Sequence, residues 1–387
     1  MALSILNEEE NAIRDAIFEL VQGTIAKRSQ EFDQKAIFPR ENIELLGRQG
    51  YLGMIVDPKW GGAGASYLAQ TLVVEAIAAA DPATAVIYEV HNSLHIEGIW
   101  RFGTEEQKSR YLPELCQGKT IGAFAITEAE SGSNAASMQT RALRLEDGYH
   151  LTGRKMFITS GGEADRYIVF ATLDPARKEK GITAFIVPKT ATGLRFGPPE
   201  DKLGIRASRT SEMILDDVVV PVEDRLGEEG QGYDIALYLL DGGRIGIAAQ
   251  SVGIMTTALE RSLAYARQRK QFGQPIGHFE GIQWRLADMA TDLHAARLMT
   301  YEAARRREEG PAQRPLFAMA KLFASEKAVQ HAADAIQIFG GYGYMREYGV
   351  ERLLRDAKVT EIYEGTSEIM RLVIASRLLK EYDLGNI

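Results

Sequence analysis

Cysteine is nearly missing from this chain: Cys116 is alone among 387 residues, which rules out an internal disulfide and a cysteine-rich metal site and fits a reducing compartment. Histidine is scarce as well. H-E-x-x-H does not occur, and His91 and His95 stand four apart with no acid between them, so a packed, hydrogen-bonding pair is expected in preference to a metal site. No run of eighteen apolar residues is present, and the stretch Met1 to Glu10 is acidic where a signal would be basic and then apolar. The expectation is a cytoplasmic protein that is neither exported nor membrane-spanning. Positive charge is also in deficit: a net charge of −8 disfavours nucleic acid as a main partner, because such binding relies on Lys and Arg neutralising phosphates. The P-loop pattern is absent, and Gly341-Tyr342-Gly343-Tyr344-Met345-Arg346 lacks the last glycine of a dinucleotide fingerprint. No G-x-S-x-G elbow surrounds Ser131-Gly132-Ser133, which leaves that serine pair as a turn former or a phosphate contact.

What is present is apolar material for more than one core, 45% of the chain, arranged as helices, then strands, then helices. From about Asn7 to Gly118 the pattern is helical, with Ile13, Ile17, Leu20 and Val21 at helical spacing and a continuous helix-forming run from Leu68 to Ala80. From about Thr120 to Gly227 short β-branched runs such as Tyr167 to Thr172 and Ile182 to Val187 alternate with turns at Glu146-Asp147-Gly148 and Gly197-Pro198-Pro199. Long helices return from about Tyr233. One is expected over Phe279 to Glu309, roughly 45 Å long, with Ile282, Leu286, Met289 and Leu293 on one face and a stop at Gly310-Pro311. Others are expected over Pro315 to Phe339, capped by Gly340-Gly341, over Arg346 to Lys358, and over Ser367 to Tyr382. The fold class is α+β, with domains expected over residues 1–119, 120–230 and 231–387, and the strand–helix alternation of a doubly wound sheet is missing.

The most informative stretch is Ile362-Tyr363-Glu364-Gly365-Thr366-Ser367-Glu368-Ile369. It sets a carboxylate between an aromatic ring and a glycine, directly before a helix that Thr366 or Ser367 can cap. A base or a salt-bridged loop glutamate both suit this pattern taken alone.

The segment resembles the catalytic loop of the acyl-CoA dehydrogenases, flavoenzymes that introduce an α,β double bond into acyl-CoA thioesters. Five further stretches resemble signatures of that family in the same order. Phe124-Ala125-Ile126-Thr127-Glu128-Ala129-Glu130-Ser131-Gly132-Ser133-Asn134 resembles the first signature, and Lys155-Met156-Phe157-Ile158-Thr159 the strand beside the flavin. Leu240-Asp241-Gly242-Gly243-Arg244 resembles the substrate-facing helix of the short-chain, butyryl-CoA branch. Arg269-Lys270-Gln271-Phe272-Gly273 and Gln337-Ile338-Phe339-Gly340-Gly341 resemble segments that reach a neighbouring subunit's FAD. The resemblance spans nearly the whole chain, and each motif is weak by itself.

The resemblance implies an N-terminal α-helical domain, a β-barrel-like middle domain and a C-terminal four-helix bundle, assembled as a homotetramer with FAD at the subunit interfaces. It implies Glu364 as the base. FAD contacts are implied at Phe124, Ile126, Thr127, Gly132, Ser133, Phe157, Ile158 and Thr159 on one side. A second set falls at Arg269, Phe272, Glu280, Gln337, Ile338, Phe339, Gly340, Gly341, Thr366, Ser367 and Glu368. Arg269 offers a forked cation for pyrophosphate, or is a solvated member of the Arg267-Gln268-Arg269-Lys270 cluster. Substrate contacts are implied at Ser133, Asp241, Gly242, Gly243, Arg244, Tyr363 and Gly365; the alternative for Asp241 and Arg244 is an ordinary helix-surface pair. The depth of the acyl pocket is expected to depend on side chains such as those of Ile87 to Asn92. No metal is expected.

In the family reading Glu364 removes the α-proton of an acyl-CoA while the β-hydride passes to FAD, and an electron-transfer flavoprotein takes the electrons on, as in fatty acid β-oxidation. The helix starting near Thr366 is expected to lower the pKa of Glu364 and burial to raise it, with burial dominant once substrate displaces water. Some family members carry the base where this chain has Gly243, and a glycine cannot serve. The chain departs from the family pattern at Ala129 (commonly proline), Asn134 (Asp), Phe157 (tryptophan) and Glu280 (Gln). Rival readings are an acyl-CoA oxidase, a branched or cyclic acyl-CoA dehydrogenase, and a DNA-binding relative that keeps FAD without the oxidation.

Overall fold

A computed structural model describes residues 5–381. The expected last-helix terminus at Tyr382 and the outer ends of the first and third expected domains lie outside the described residues.

Side-chain caps set where the first helices begin. Asn7 and Glu10 exchange hydrogen bonds as a capping box on α1 (Glu8–Gly23), which leads through α2 (Ile25–Lys35) and α3 (Arg40–Arg48) to α4 (Tyr67–Ala80), capped by Ser66. Asp81 caps α5 (Pro82–Glu89), with proline at its first helical position, where a missing N–H costs nothing. The chain then widens into a π-helical turn, Val90–Ile96, before α6 (Glu97–Phe102) and α7 (Glu105–Cys116). Ile17 and Val21 are buried and Ile13 and Leu20 pack against them, as their spacing implied. His91 and His95 are the hydrogen-bonding pair expected: the His91 Nδ1 accepts from the Gly122 N–H at 2.9 Å, and the His95 Nδ1 bonds the Ala123 carbonyl at 2.9 Å. Burial pushes their pKa values down to about 4 and about 3, so both are neutral joints between the π-turn and the first strand.

That strand, β1 (Gly122–Ala125), runs parallel to β4 (Arg166–Thr172). The remaining strands are β2 (Arg141–Leu145), β3 (Gly148–Thr159), β5 (Ile182–Pro188), β6 (Leu194–Pro199), β7 (Thr210–Val220) and β8 (Arg225–Leu226), in the spatial order β6-β7-β3-β2-β4-β5-β8. The Glu146-Asp147-Gly148 turn joins β2 to β3 as expected, but Gly197-Pro198-Pro199 is not a turn: it completes β6, tolerated because β6 ends the strand path and its open side needs no donor. Register shifts between Leu151 and Gly153 and between Lys155 and Ile158 kink β3 against β7.

The last part is built on α8 (Gly232–Gln268), 37 residues long, followed by the small hairpin β9 (Lys270–Gln271) and β10 (Gln274–Pro275), α9 (Glu280–Arg305), α10 (Arg314–Phe339), α11 (Glu351–Lys358) and α12 (Ser367–Glu381). Met289 and Leu293 of α9 are buried and Ile282 and Leu286 pack beside them. Two boundaries differ from expectation. The helix expected to Glu309 ends at Arg305, and a 3-10 segment, Arg307–Gln313, follows because Arg307 turns inward to Glu97 at 3.2 Å. The helix expected over Arg346 to Lys358 is broken by Gly349 at φ 63°, leaving a 3-10 turn and then α11.

A buried ionic cluster ties these parts together. Arg352 of α11 donates to Asp81, to the Ser29 hydroxyl at 2.6 Å and to Asp356 at 2.9 Å, and Asp356 in turn accepts from the Ile205 N–H in the loop between β6 and β7 at 2.5 Å. Removing one partner strands the other charges away from water. Arg352→Ala is therefore expected to destabilise the protein by about 3–5 kcal/mol in denaturant unfolding; a loss within the error of that measurement would show that the cluster relaxes or hydrates.

Candidate active site

The loop from the end of α11 to the start of α12 turns back through two consecutive left-handed residues, Glu364 at φ 55° and Gly365 at φ 96°. Such a conformation is unfavourable for a glutamate and persists only where neighbours enforce it. Here the carboxylate is laid against α8 where that helix has no side chain. A Cβ at position 243 would stand 2.4 Å from Glu364 Oε2, so Gly243 is the space the carboxylate occupies. Thr366 Oγ1 accepts from the Ile369 N–H at 3.3 Å and thus caps α12, one of the two residues expected to do so.

Around the half-buried carboxylate the chain gathers buried charge. Glu364 Oε2 is shielded from solvent and has no hydrogen-bond partner. Arg244 is buried and bonded to Asp241 at 2.7 Å, and Asp241 is gripped from the other side by Arg314 Nε at 2.9 and 3.0 Å. The helix-surface alternative for Asp241 and Arg244 is thereby excluded: both face inward. Lys321 of α10, 0% exposed, donates to the Gly365 carbonyl at 2.8 Å. Glu89, also 0% exposed, packs on α8 at Gly246, where an added Cβ would come within 2.4 Å of its Cγ, and neither of its oxygens has a partner. The Tyr363 hydroxyl donates to Gln250, whose amide donates on to the Pro82 carbonyl at 2.9 Å.

Burial is the largest influence on Glu364 and pushes its pKa up to about 7, against the pull of Arg244 and then Lys321. Burial thus dominates before any acyl chain is considered, and the opposing influence is these two cations. Glu89 is raised well above the carboxylate range by burial, then by the Glu364 charge, so it is a neutral acid. Lys321, Glu89, Gln250 and Arg314 were not singled out from the sequence, although Glu89 falls in the stretch expected to set pocket depth. The available signal was a charged residue inside an apolar helical run, as at Phe317 to Ala324.

The expected cofactor residues form two groups. Phe124, Ile126 and Thr127 lie beside the end of β3, held by the Met156 N–H donating to the Thr127 carbonyl at 2.8 Å and by Lys155 Nζ donating to the Ile126 carbonyl at 3.1 Å. Ser131 N–H and carbonyl close a turn on Glu128, leaving Gly132 and Ser133 exposed. Phe157 sits in the β3 irregularity at φ 58° with 63% of its surface exposed, next to buried Ile158 and half-buried Thr159. A strained, outward aromatic of this kind points to a ligand surface.

In the second group, Arg269, Ile338, Phe339, Gly340 and Gly341 line a cleft of about 460 Å³. Arg269 stands 5.3 Å from the Tyr342 ring centre, so it is not merely solvated. Cβ atoms at Gly340 and Gly341 would meet nothing within 4 Å, which leaves bare backbone beside a guanidinium. A pyrophosphate fits that pairing. Gln337, near the end of α10, and Glu280, the first residue of α9, are exposed but outside the cleft lining, Phe272 is 92% exposed, and at the start of α12 Ser367 is buried while Glu368 is exposed.

Three sequence profiles match in series, described as the acyl-CoA dehydrogenase N-terminal domain over residues 7–119, middle domain over 123–218 and C-terminal domain over 230–379. The chain belongs to the acyl-CoA dehydrogenase family. The enzyme is 42% identical over 375 residues to a short-chain specific acyl-CoA dehydrogenase of Clostridium acetobutylicum, covering 97% of this chain and 99% of that one. The solved butyryl-CoA dehydrogenase of Megasphaera elsdenii superposes with a TM-score of 0.95 at 42% identity, covering 98% and 100%. A chain solved in work on the electron transferring flavoprotein of Acidaminococcus fermentans gives a TM-score of 0.96 at 43% identity, also covering 98% and 100%. The family is FAD-dependent, and FAD is the cofactor of this enzyme. Among the described residues no helix is long and apolar enough to cross a membrane, and no cluster of three metal-ligating side chains occurs.

The raised pKa of Glu364 carries a stability cost with a defined pH window. Its folded value lies above the unfolded 4.5, so the cost of the ionised form is absent below about pH 4.5, grows through the interval and is complete above about pH 7. Glu364→Gln is expected to stabilise the enzyme by ~1–2 kcal/mol above pH 7 and not at all below pH 4.5. Denaturant unfolding at the two pH values checks this, and an equal gain at both would contradict it.

Proposed function

We propose that this enzyme oxidises short straight-chain acyl-CoA thioesters to trans-2-enoyl-CoA, with Glu364 as the base. The observation that supports this most is the carboxylate itself: half-buried, with Oε2 shielded from solvent and lacking a hydrogen-bond partner, and poised near neutral pH. A base with this pKa is mostly ionised just above neutrality yet retains the proton it accepts. Glu364 takes the α-proton as its own backbone N–H donates to the thioester oxygen, where negative charge builds up. FAD, when bound, supplies the two-electron acceptor that receives the β-hydride, and an electron-transfer flavoprotein then carries the electrons away. Protein groups hold the rest in place: Phe124, Ile126, Thr127, Gly132, Ser133, Phe157, Ile158 and Thr159 for the flavin end, with Thr366, Ser367 and Glu368 adjoining.

Arg269, Phe272, Glu280, Gln337, Ile338, Phe339, Gly340 and Gly341 present the cleft to the FAD of a second copy, in a homotetramer that acts in the cytoplasm in fatty acid breakdown. Each copy has three domains, divided near residues 119 and 230. Arg244 and Asp241 border the acyl thioester, with Tyr363, Gly365, Gly242 and Gly243 beside it and Ser133 at the mouth. The preference for short chains rests on the filled space behind Glu364. Glu89 lies against Gly246, and Gln250 is tied to both Tyr363 and Pro82, which in this reading shortens the space for an acyl chain along α8.

Anaerobic bleaching of the FAD-loaded enzyme with an acyl-CoA panel is expected to be fastest with butyryl-CoA. Glu364→Gln should slow it at least about 10³-fold while FAD stays bound. Near-normal bleaching by that variant would remove Glu364 from the mechanism, and a preference for palmitoyl-CoA would remove the short-chain assignment.

A further inference from the structure

A lysine with no access to water is costly to keep charged, and Lys321 is such a residue. It sits on α10 among the buried side chains of Phe317, Ala318, Ala320 and Ala324. Its ammonium donates to the Gly365 carbonyl at 2.8 Å. That bond anchors the peptide just after two left-handed residues, at the point where the loop would otherwise relax away from α8.

The other charges around Glu364 are already matched. From α8, Arg244 is bonded to Asp241, which also holds Arg314 at the start of α10. From α10, Glu326 pairs with Arg371 at 2.7 Å, and Glu361, in the turn before the loop, pairs with Lys358. From α5, Glu89 is a neutral acid, and the Tyr363 hydroxyl is bonded to Gln250. Among the described residues around Glu364, Lys321 is left as the cation that no other carboxylate pairs with.

We propose that Lys321 is a positioning residue for the base: its buried ammonium pins the Glu364–Gly365 turn over Gly243 and provides the uncompensated positive charge that keeps the Glu364 carboxylate ionised until it takes a proton. Electrostatics agree with the geometry. Burial pulls the Lys321 pKa down to about 8, and Glu364 is the strongest influence holding it up, so the two groups keep one another charged near neutrality. Arg244 exerts the larger pull on Glu364, but that pull is shared with Asp241.

This inference rests on Glu364 being the base, and three variants of the full-length, FAD-loaded enzyme separate its parts. Lys321→Gln keeps a donor and removes the charge, Lys321→Met removes both, and Lys321→Arg keeps the charge. The rate of anaerobic flavin bleaching by butyryl-CoA is measured from pH 5.5 to 9.5, and amide hydrogen exchange is followed over residues 362–368.

Lys321→Gln is expected to move the rising limb of the profile to higher pH, roughly tenfold slower below pH 7 and close to wild type near pH 9. Lys321→Met should show the same displacement and, in addition, faster exchange of the loop amides. Lys321→Arg should return the limb toward its wild-type position. A limb that stays in place in both neutral variants, whatever the overall rate, overturns the proposal, and so does an Arg variant displaced as far as Gln. If Met does not fold, Gln and Arg still decide the matter. Failure of the base assignment is read separately, as persistent bleaching by Glu364→Gln with these profiles intact.

Discussion

The close approach of the Glu364 carboxylate to the bare backbone of Gly243 constrains everything around it. A half-buried carboxylate with one oxygen shielded from water and lacking a hydrogen-bond partner loses solvation that nearby positive charge restores. That accounts for Arg244 and Lys321 on the two helices facing the loop, and for Asp241 and Arg314 behind Arg244. It accounts as well for a glutamate at positive φ: the backbone accepts an unfavourable conformation so that the side chain reaches a helix face where no Cβ intrudes.

Holding such a loop requires rigid walls on several sides, and the domains supply them by different means. α8 is buried without interruption from Asp241 to Met255, packed by α4, α9 and α10, so the surface under the carboxylate does not move independently of the core. The π-helical turn after α5 sets Glu89 at the pocket and sends His91 and His95 to the backbone of β1, the strand whose far end leads into the flavin-side segment. On the opposite side the Arg352 cluster fixes α11, and thereby the entrance to the Glu364 loop, to α2, the α4–α5 turn and the β6–β7 loop. Stability and function are in opposition at the carboxylate and at its buried neighbours Glu89 and Lys321, whereas the charges of the Arg352 cluster satisfy one another.

Helices with one wet face were legible from pattern alone. α9 and α10 lie within a few residues of their expected spans because apolar spacing, and at α10 a glycine cap, are local signals, while α4, buried on nearly every side, showed itself as a continuous helix-forming run. α8 offered no such stripe over residues 241–255, because a helical stretch buried on every side shows no period. The misplaced end of α9 and the prolines in β6 share a cause, since local rules read Gly310-Pro311 and Gly197-Pro198-Pro199 as punctuation, whereas the Arg307–Glu97 pair and an outer strand position settle the outcome.

Sequence by itself determined the α+β order, the family, the candidate base and the residue types able to meet a flavin and a pyrophosphate, because each of these is written in short contiguous stretches. Tertiary structure alone decided what surrounds the base. Lys321, Glu89, Gln250 and Arg314 come from helices separated by as many as 232 residues, from position 89 to position 321, and only folding carries them to one point. It also decided the electrical state of Glu364, since a pKa depends on burial and on the distance to other charges, and neither quantity exists in an unfolded chain.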